Sequence, residues 1–172
     1  MNTNNDIILV DEKDNEVGTM EKLEAHRQGK LHRAFSIFVF NSNRELLLQK
    51  RAREKYHSGG LWTNTCCSHP RPNEEVIESA HRRLKEEMGM VADLKKIHSF
   101  VYKIKFDNGL TEHEYDYVLI GNSDKTPILN PEEAEDFKWI DTVTLRKDLK
   151  QNPQNYSYWL GMCFEDILLK IF

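Results

Sequence analysis

The short segment WTNTCCSHP, Trp62 to Pro70, places two thiols and an imidazole among small polar residues. Adjacent cysteines make a strained disulfide, so Cys66 and Cys67 read as free thiols. As a thiolate, a cysteine is a soft, weakly hydrated base that a nearby cation stabilises. A second cluster, TEHEYDYV, reads as a strand. Side chains two apart on a strand share a face. Glu112, Glu114 and Asp116 therefore point one way and His113 the other. Three like charges on one face repel unless solvent screens them or a divalent cation turns repulsion into attraction, and carboxylates suit Mg²⁺ and Mn²⁺. His26 and His32 in AHRQGKLHRAF are not an i,i+4 pair, so a loop must bring them together. His57, His81, His98 and His113 are assigned to the surface or to packing.

A helix is expected from Asn73 to Met88. Pro72 and Asn73 are start signals, and Glu74 and Glu75 suit the positive end of the helix dipole. Val76, Ile77, Ala80, Leu84 and Met88 fall within one arc of about 120°. Glu87 projects inside that apolar arc, and Arg83 lies at its edge. A buried carboxylate needs a partner, because an isolated buried charge costs several kcal/mol or more. Two partners remain open: an i,i+4 pair with Arg83, worth about 0.3–0.5 kcal/mol if exposed, or a metal or anion site.

These groups need a scaffold. AFSIFVF, Ala34 to Phe40, is an apolar run suited to a central strand covered on both faces. NSNRE turns the chain and LLLQKRA returns as its hairpin partner. KKIHSFVYKIKF, DNG and EHEYDYVLIG form a second hairpin, FKWI is a short strand, and SYWLGMCFEDILLKI is a C-terminal helix. Strands and helices mix without a regular βαβ rhythm. The expected class is α+β, a mixed sheet sandwiched between helices, in one domain over residues 1–172.

The formal net charge of -4 disfavours nucleic acid as the main partner. No stretch is long and apolar enough to span a membrane, and no signal peptide stands at the N-terminus. Three cysteines without such a signal suggest a reducing compartment, the cytoplasm by default. No glycine-rich dinucleotide fingerprint appears.

Taken together, TNTCCSHP, the EHE triplet, KLHRAFSIFVFN and the late YSYW resemble the type I isopentenyl-diphosphate isomerases, from about Lys22 to Trp159. That resemblance implies a Nudix-like fold, whose motif is Gly-x5-Glu-x7-Arg-Glu-U-x-Glu-Glu-x-Gly-U, with U apolar. The chain supplies Ser68, Glu74, Arg82, Arg83, Leu84, Glu86, Glu87, Gly89 and Met90. Ser68 replaces the first glycine and Arg83 a glutamate of the Arg-Glu-U core. Both departures favour an isomerase over the alternative, a hydrolase of a nucleoside diphosphate derivative.

The resemblance further implies interconversion of isopentenyl and dimethylallyl diphosphate through a carbocation-like intermediate. Such a reaction needs an acid and a base on opposite faces of a flat hydrocarbon, with water excluded. Cys67 and Glu114 match the catalytic positions, with Tyr102 assisting proton transfer. His26, His32, His69, Glu112 and Glu114 match a metal site whose mixed donors suit Mn²⁺ or Zn²⁺. Glu87 would hold Mg²⁺ bridged to the substrate diphosphate, with the Cys67 carbonyl as a further ligand. Lys22, Arg51, Lys55 and Arg83 match diphosphate-binding positions. Trp159 and Trp62 would wall the hydrocarbon pocket. Cys66 and Cys163 are expected to pack.

Overall fold

The computed structural model describes residues 5–171. Its organising element is strand β3 (His32–Phe40), the apolar run, buried on both faces except at Arg33. One edge of β3 pairs in parallel with β8 (Thr111–Asn122) along its whole length, from His32 opposite Glu114 to Phe40 opposite Asn122. Three antiparallel partners share the other edge. They are β1 (Asp6–Val10) at His32, β6 (Cys66–Ser68) at Phe35 to Ile37, and β4 (Glu45–Arg51) at Phe40.

The β3–β4 hairpin therefore opens immediately past its turn. β4 continues between β9 (Ala134–Asp141) and β5 (Trp62–Thr63). Where two strands diverge, backbone groups lose their ladder partners and must find others. The polar residues of TNT supply them. Thr65 Oγ1 accepts from Val39 N (2.9 Å) and donates to Leu47 O (2.8 Å), and Asn64 Nδ2 donates to Ile37 O (3.0 Å).

Two hairpins complete the sheet: β1 with β2 (Glu16–Glu21), and β7 (Lys95–Lys105) with β8. The expected turn residue of the second, Gly109, takes φ +85, which only glycine adopts freely.

Helices cover both faces. Phe35, Ile37, Val39 and Leu47 pack with Ala80, Leu84 and Met88 of α2 (Val76–Met88). Phe38, Phe40, Leu46 and Leu48 pack with Leu145 of α3 (Thr142–Gln151) and with Leu160, Phe164 and Ile167 of α4 (Tyr158–Ile171). The short α1 (Lys22–Gln28) closes one end against β8. The architecture is α+β, a mixed sheet between helices, as the sequence implies.

The helix expected from Asn73 starts later, at Val76. Asn73 is left-handed, with φ +66, and cannot be a first helical residue. The Glu74 carboxylate is turned back onto Arg71 N and Arg82, and the N-cap position falls to Glu75. Ile77, placed in the apolar arc from sequence, is 37% exposed.

The loop after β4 carries Lys55, Tyr56 and His57 and is closed by Gly59, where a Cβ would run into the Arg53 carbonyl. That neighbour is backbone and cannot swing aside. Gly59→Ala is expected to lower stability by about 1–3 kcal/mol, read as a loss of several degrees in a thermal melt by circular dichroism. An unchanged Tm would show that the loop yields freely.

Candidate active site

On β8 the even-numbered side chains share one face. At one end Val118 joins the apolar core under α4; at the other, Asp116, Glu114 and Glu112 are buried in turn. Parallel pairing sets Ser36 of β3 beside this row, its hydroxyl donating to Asp116 Oδ2 (2.7 Å), and sets His32 opposite Glu114. The same sheet face is thus apolar at one end and ionisable at the other. His113, as alternation requires, faces away, with Nδ1 3.0 Å from Gly29 O.

Three histidines converge on this row from separate segments. His26 Nε2 lies 3.2 Å from Glu112 Oε1, and His69 Nε2 lies 2.9 Å from Glu114 Oε1. His32 Nε2 lies 3.6 Å from Glu114 Oε1 and 3.9 Å from Glu112 Oε2. One ligand atom from each of His26, His32, His69, Glu112 and Glu114 falls within 4.8 Å of all the others. The group can hold a metal ion, and its wiring fits one. His26 Nδ1 is 2.6 Å from Lys22 O and His32 Nδ1 is 2.8 Å from Lys30 O, so both Nδ1 atoms carry a proton and both Nε2 atoms face the cluster. His32 Nε2 and Glu112 Oε2 are buried with no hydrogen-bond partner, a costly state that a cation relieves.

The electrostatics follow from burial and pairing. Burial alone would raise the Glu112 carboxyl, but hydrogen bonds from His26 and His57 outweigh it and hold it well below the usual carboxylate range. Glu114 is also lowered: burial and Glu112 push it up, and His32 and His69 more than offset them. Asp116, with no cation beside it, is pushed well up by burial and by Glu114 and keeps its proton. His69 is brought down to about 3, chiefly by burial, and is neutral.

Cys67 and Cys66 occupy successive positions of β6, so they face opposite sides of the sheet. Cys66 packs in the core under α2. Cys67 Sγ lies on the ionisable side, 3.0 Å from Asn64 Oδ1, 3.1 Å from Trp159 Nε1 and 3.5 Å from Ser36 Oγ. Burial, with the neighbouring Asp116 adding to it, pushes Cys67 up to about 12, so it is a neutral thiol that donates to Asn64. Tyr102 donates from its hydroxyl to Glu114 Oε2 (2.7 Å).

Cys67, Glu114 and Tyr102 line one narrow cleft of about 40 Å³ with Trp159, His69, Glu112, Glu87 and the cations Lys22, Arg51, Lys55 and Arg83. His26 and His32 lie behind this lining. Glu87 is buried as its place in the apolar arc requires. It is paired with Arg83 (2.7 Å) and accepts from Gln49 (3.1 Å), so the plain i,i+4 pair is present. Trp62 is corrected: it does not line the cleft and packs instead under Lys138. Cys163 lies on the buried face of α4 and packs in the core.

Two residues went unrecognised in the sequence. Glu133 pairs with Lys55 and, at 2.8 Å, with Arg83. His57, assigned to surface or packing, is buried and reaches Glu112. Nothing in the local pattern around either position separates them from ordinary loop residues.

The family model of the NUDIX domain matches residues 30–160. The chain is 57% identical over 162 residues to isopentenyl-diphosphate Delta-isomerase 2 of Aromatoleum aromaticum, covering 94% of this chain and 86% of that protein. It is 49% identical to isopentenyl-diphosphate Delta-isomerase 2 of Photorhabdus laumondii, covering 94% of each. Among solved structures, DR0079 from Deinococcus radiodurans superposes with a TM-score of 0.79 at 21% identity, covering 94% of this chain and 98% of that one. A MutT protein from Methanosarcina mazei superposes at 0.65 and 17% identity, covering 79% and 91%. These structures share the fold.

The cluster's wiring sets a pH dependence. Burial lowers the His26 pKa, but Glu112 and the Lys22 carbonyl outweigh burial, so His26 titrates above an ordinary histidine. A protonated imidazole cannot ligate. The purified protein is expected to bind about one divalent metal ion tightly at mildly alkaline pH. Binding should weaken as pH falls through the raised His26 value, as followed by competition with a chromophoric chelator. Affinity that stays level down to pH 6 would contradict ligation by His26.

Proposed function

The chain belongs to the isopentenyl-diphosphate Delta-isomerase family, built on the NUDIX fold, and we propose that it interconverts isopentenyl diphosphate and dimethylallyl diphosphate by moving the double bond through one proton gain and one proton loss. The observation that carries this reading is the pairing, in one narrow cleft, of the Cys67 thiol with the Glu114 carboxylate beside four cations.

In this reading Lys22, Arg51, Lys55 and Arg83 take the diphosphate, Arg83 by paired hydrogen bonds that its planar fork permits. Held by its head, the five-carbon chain lies between Cys67 and Glu114. A thiol that holds its proton and a carboxylate that has lost its own form a matched donor and acceptor. One face of the hydrocarbon gains a proton from sulfur; the other gives one up to Glu114. The reverse reaction runs from the exchanged protonation states.

Tyr102 fixes Glu114 Oε2, and Trp159 fixes the sulfur through its indole N–H while presenting an aromatic face to developing positive charge. The narrowness of the cleft keeps water from the cation-like intermediate. Mn²⁺ or Zn²⁺ at His26, His32, His69, Glu112 and Glu114 would tune the acidity of Glu114, and Mg²⁺ at Glu87 would neutralise the bound diphosphate. No helix among the described residues is long and apolar enough to cross a membrane. The three free cysteines support a cytoplasmic setting.

Isomerisation is tested by incubating the metal-loaded protein with isopentenyl diphosphate in D₂O and following the methyl signals of the product by NMR. Cys67→Ala is expected to abolish turnover while retaining metal, and Cys66→Ala to keep most of it. Equal losses in the two would remove Cys67 from the mechanism.

Lys55 supplies a second test. Burial, together with Arg51, Lys22 and Arg83, brings it down to about 8 against the opposing pull of Glu87. It is charged below that pH and neutral above it. Diphosphate binding favours the charged form, so affinity should hold below pH 8 and fall above it, with proton uptake on binding near pH 8–9. Lys55→Arg should flatten the profile. Calorimetry in buffers of different ionisation enthalpy reads the uptake, and its absence would exclude Lys55 from the anion site.

A further inference from the structure

His57 lies in the loop between β4 and β5, yet its side chain is only 3% exposed. Its Nε2 is in direct ion-pair contact with Glu112 Oε1 and makes no aligned hydrogen bond to any described residue. Nδ1 lies 3.2 Å from the Ser58 hydroxyl. A nitrogen against an ionised carboxylate oxygen carries a proton, so Nδ1 is left to accept from Ser58.

The ring is clamped as well as bonded. It stacks on Phe106 with centroids 4.8 Å apart and planes at 14°, and it meets Trp159 edge-on at 5.9 Å. Its own carbonyl accepts from Arg51 Nη2 at 3.2 Å. Glu112 Oε1 is thereby taken by His57 and His26, while Oε2 is buried without a partner on the side of His32.

We infer that His57 is a positioning residue for the metal site: it holds Glu112 by Oε1 so that Oε2 is presented to the ion, and it couples that carboxylate to the wall of the substrate cleft. The inference rests on reading His26, His32, His69, Glu112 and Glu114 as one metal site. A hydrogen bond to a ligating carboxylate fixes its orientation before the ion arrives, and loss of such a bond typically costs 10–100-fold in metal affinity. The same ring lines the neighbouring apolar cleft of about 620 Å³ with Phe106 and Tyr158. It therefore also separates the ionisable pocket from an apolar space.

The test uses the full chain and two substitutions that fill the same volume differently. His57→Phe keeps an aromatic ring against Phe106 and removes the donor. His57→Gln gives up the ring and places an amide donor near Nε2. Mn²⁺ and Zn²⁺ affinities are measured by chelator competition, and the Co²⁺-loaded forms by their visible spectra.

His57→Phe should weaken binding by about 10–100-fold and alter the Co²⁺ spectrum, with an unchanged far-UV circular dichroism spectrum. His57→Gln should return to within about threefold of wild type and restore the spectrum. If Phe does not fold, His57→Asn, whose amide falls short of Glu112, takes its place with the same expected loss. Wild-type affinity in a folded His57→Phe, or equal losses in Phe and Gln, would overturn the inference and leave His57 a packing residue. His26→Ala is the control for the underlying reading. If wild type binds no ion tightly, or His26→Ala keeps it, the metal site itself fails and this inference with it.

Discussion

Two ionised carboxylates, Glu112 and Glu114, are buried side by side on one strand face, and the surrounding chain is organised by the need to hold them there. Moving one such ion into a dry interior carries an idealised cost of order 20 kcal/mol, and several kcal/mol survive relaxation. The third carboxyl of the row avoids that cost by keeping its proton and sharing Ser36. The other two rely on four imidazoles, a tyrosine hydroxyl and nearby cations brought in from neighbouring strands, loops and helices. None of these partners is a strand neighbour by chance. Each arrives because β3 and β7 flank β8, setting His32 and Tyr102 opposite Glu114, and because the loops at that end of the sheet fold over the row.

The same arrangement explains why the Cys67 thiol is so firmly placed. β6 can reach β3 only because β4 leaves it after a single pair. The gap this opens is filled by Thr63, Asn64 and Thr65, whose side chains satisfy backbone groups and receive the Trp159 indole. Cys67 is the next outward-facing position on that framework. Its surroundings are short polar side chains with few rotamers, so the sulfur is set by the backbone and not by a flexible arm.

What could be read in the sequence was whatever depends on local periodicity. Alternation on β8 separated Glu112 and Glu114 from His113, and the 3.6-residue period put Glu87 on the buried side of α2. The helix start was misread because Asn73, a good cap by type, takes a left-handed turn that residue type does not reveal. His57, Glu133 and the displacement of Trp62 depend on how loops distant in sequence pack together, which no short window encodes. The protonation state of Cys67 lies out of reach for a related reason. The acidity of Cys67 is set by burial and by Asp116, and burial is a property of the assembled sheet.

The pairing of β3 with β8 lets residues 80 positions apart bond side chain to side chain, Ser36 to Asp116. Contacts of such long range form only after a large loop has closed, and chains dominated by them fold slowly. Until that closure the histidines and carboxylates are scattered, so an ion has no site in the unfolded chain. A ligand that binds the native state alone stabilises it by about 2.7 kcal/mol at a hundredfold excess over its Kd. With an ion bound at this cluster, melting temperature, lifetime against proteolysis and folded abundance would become functions of free metal concentration. A cell short of that ion would then hold less of the folded protein.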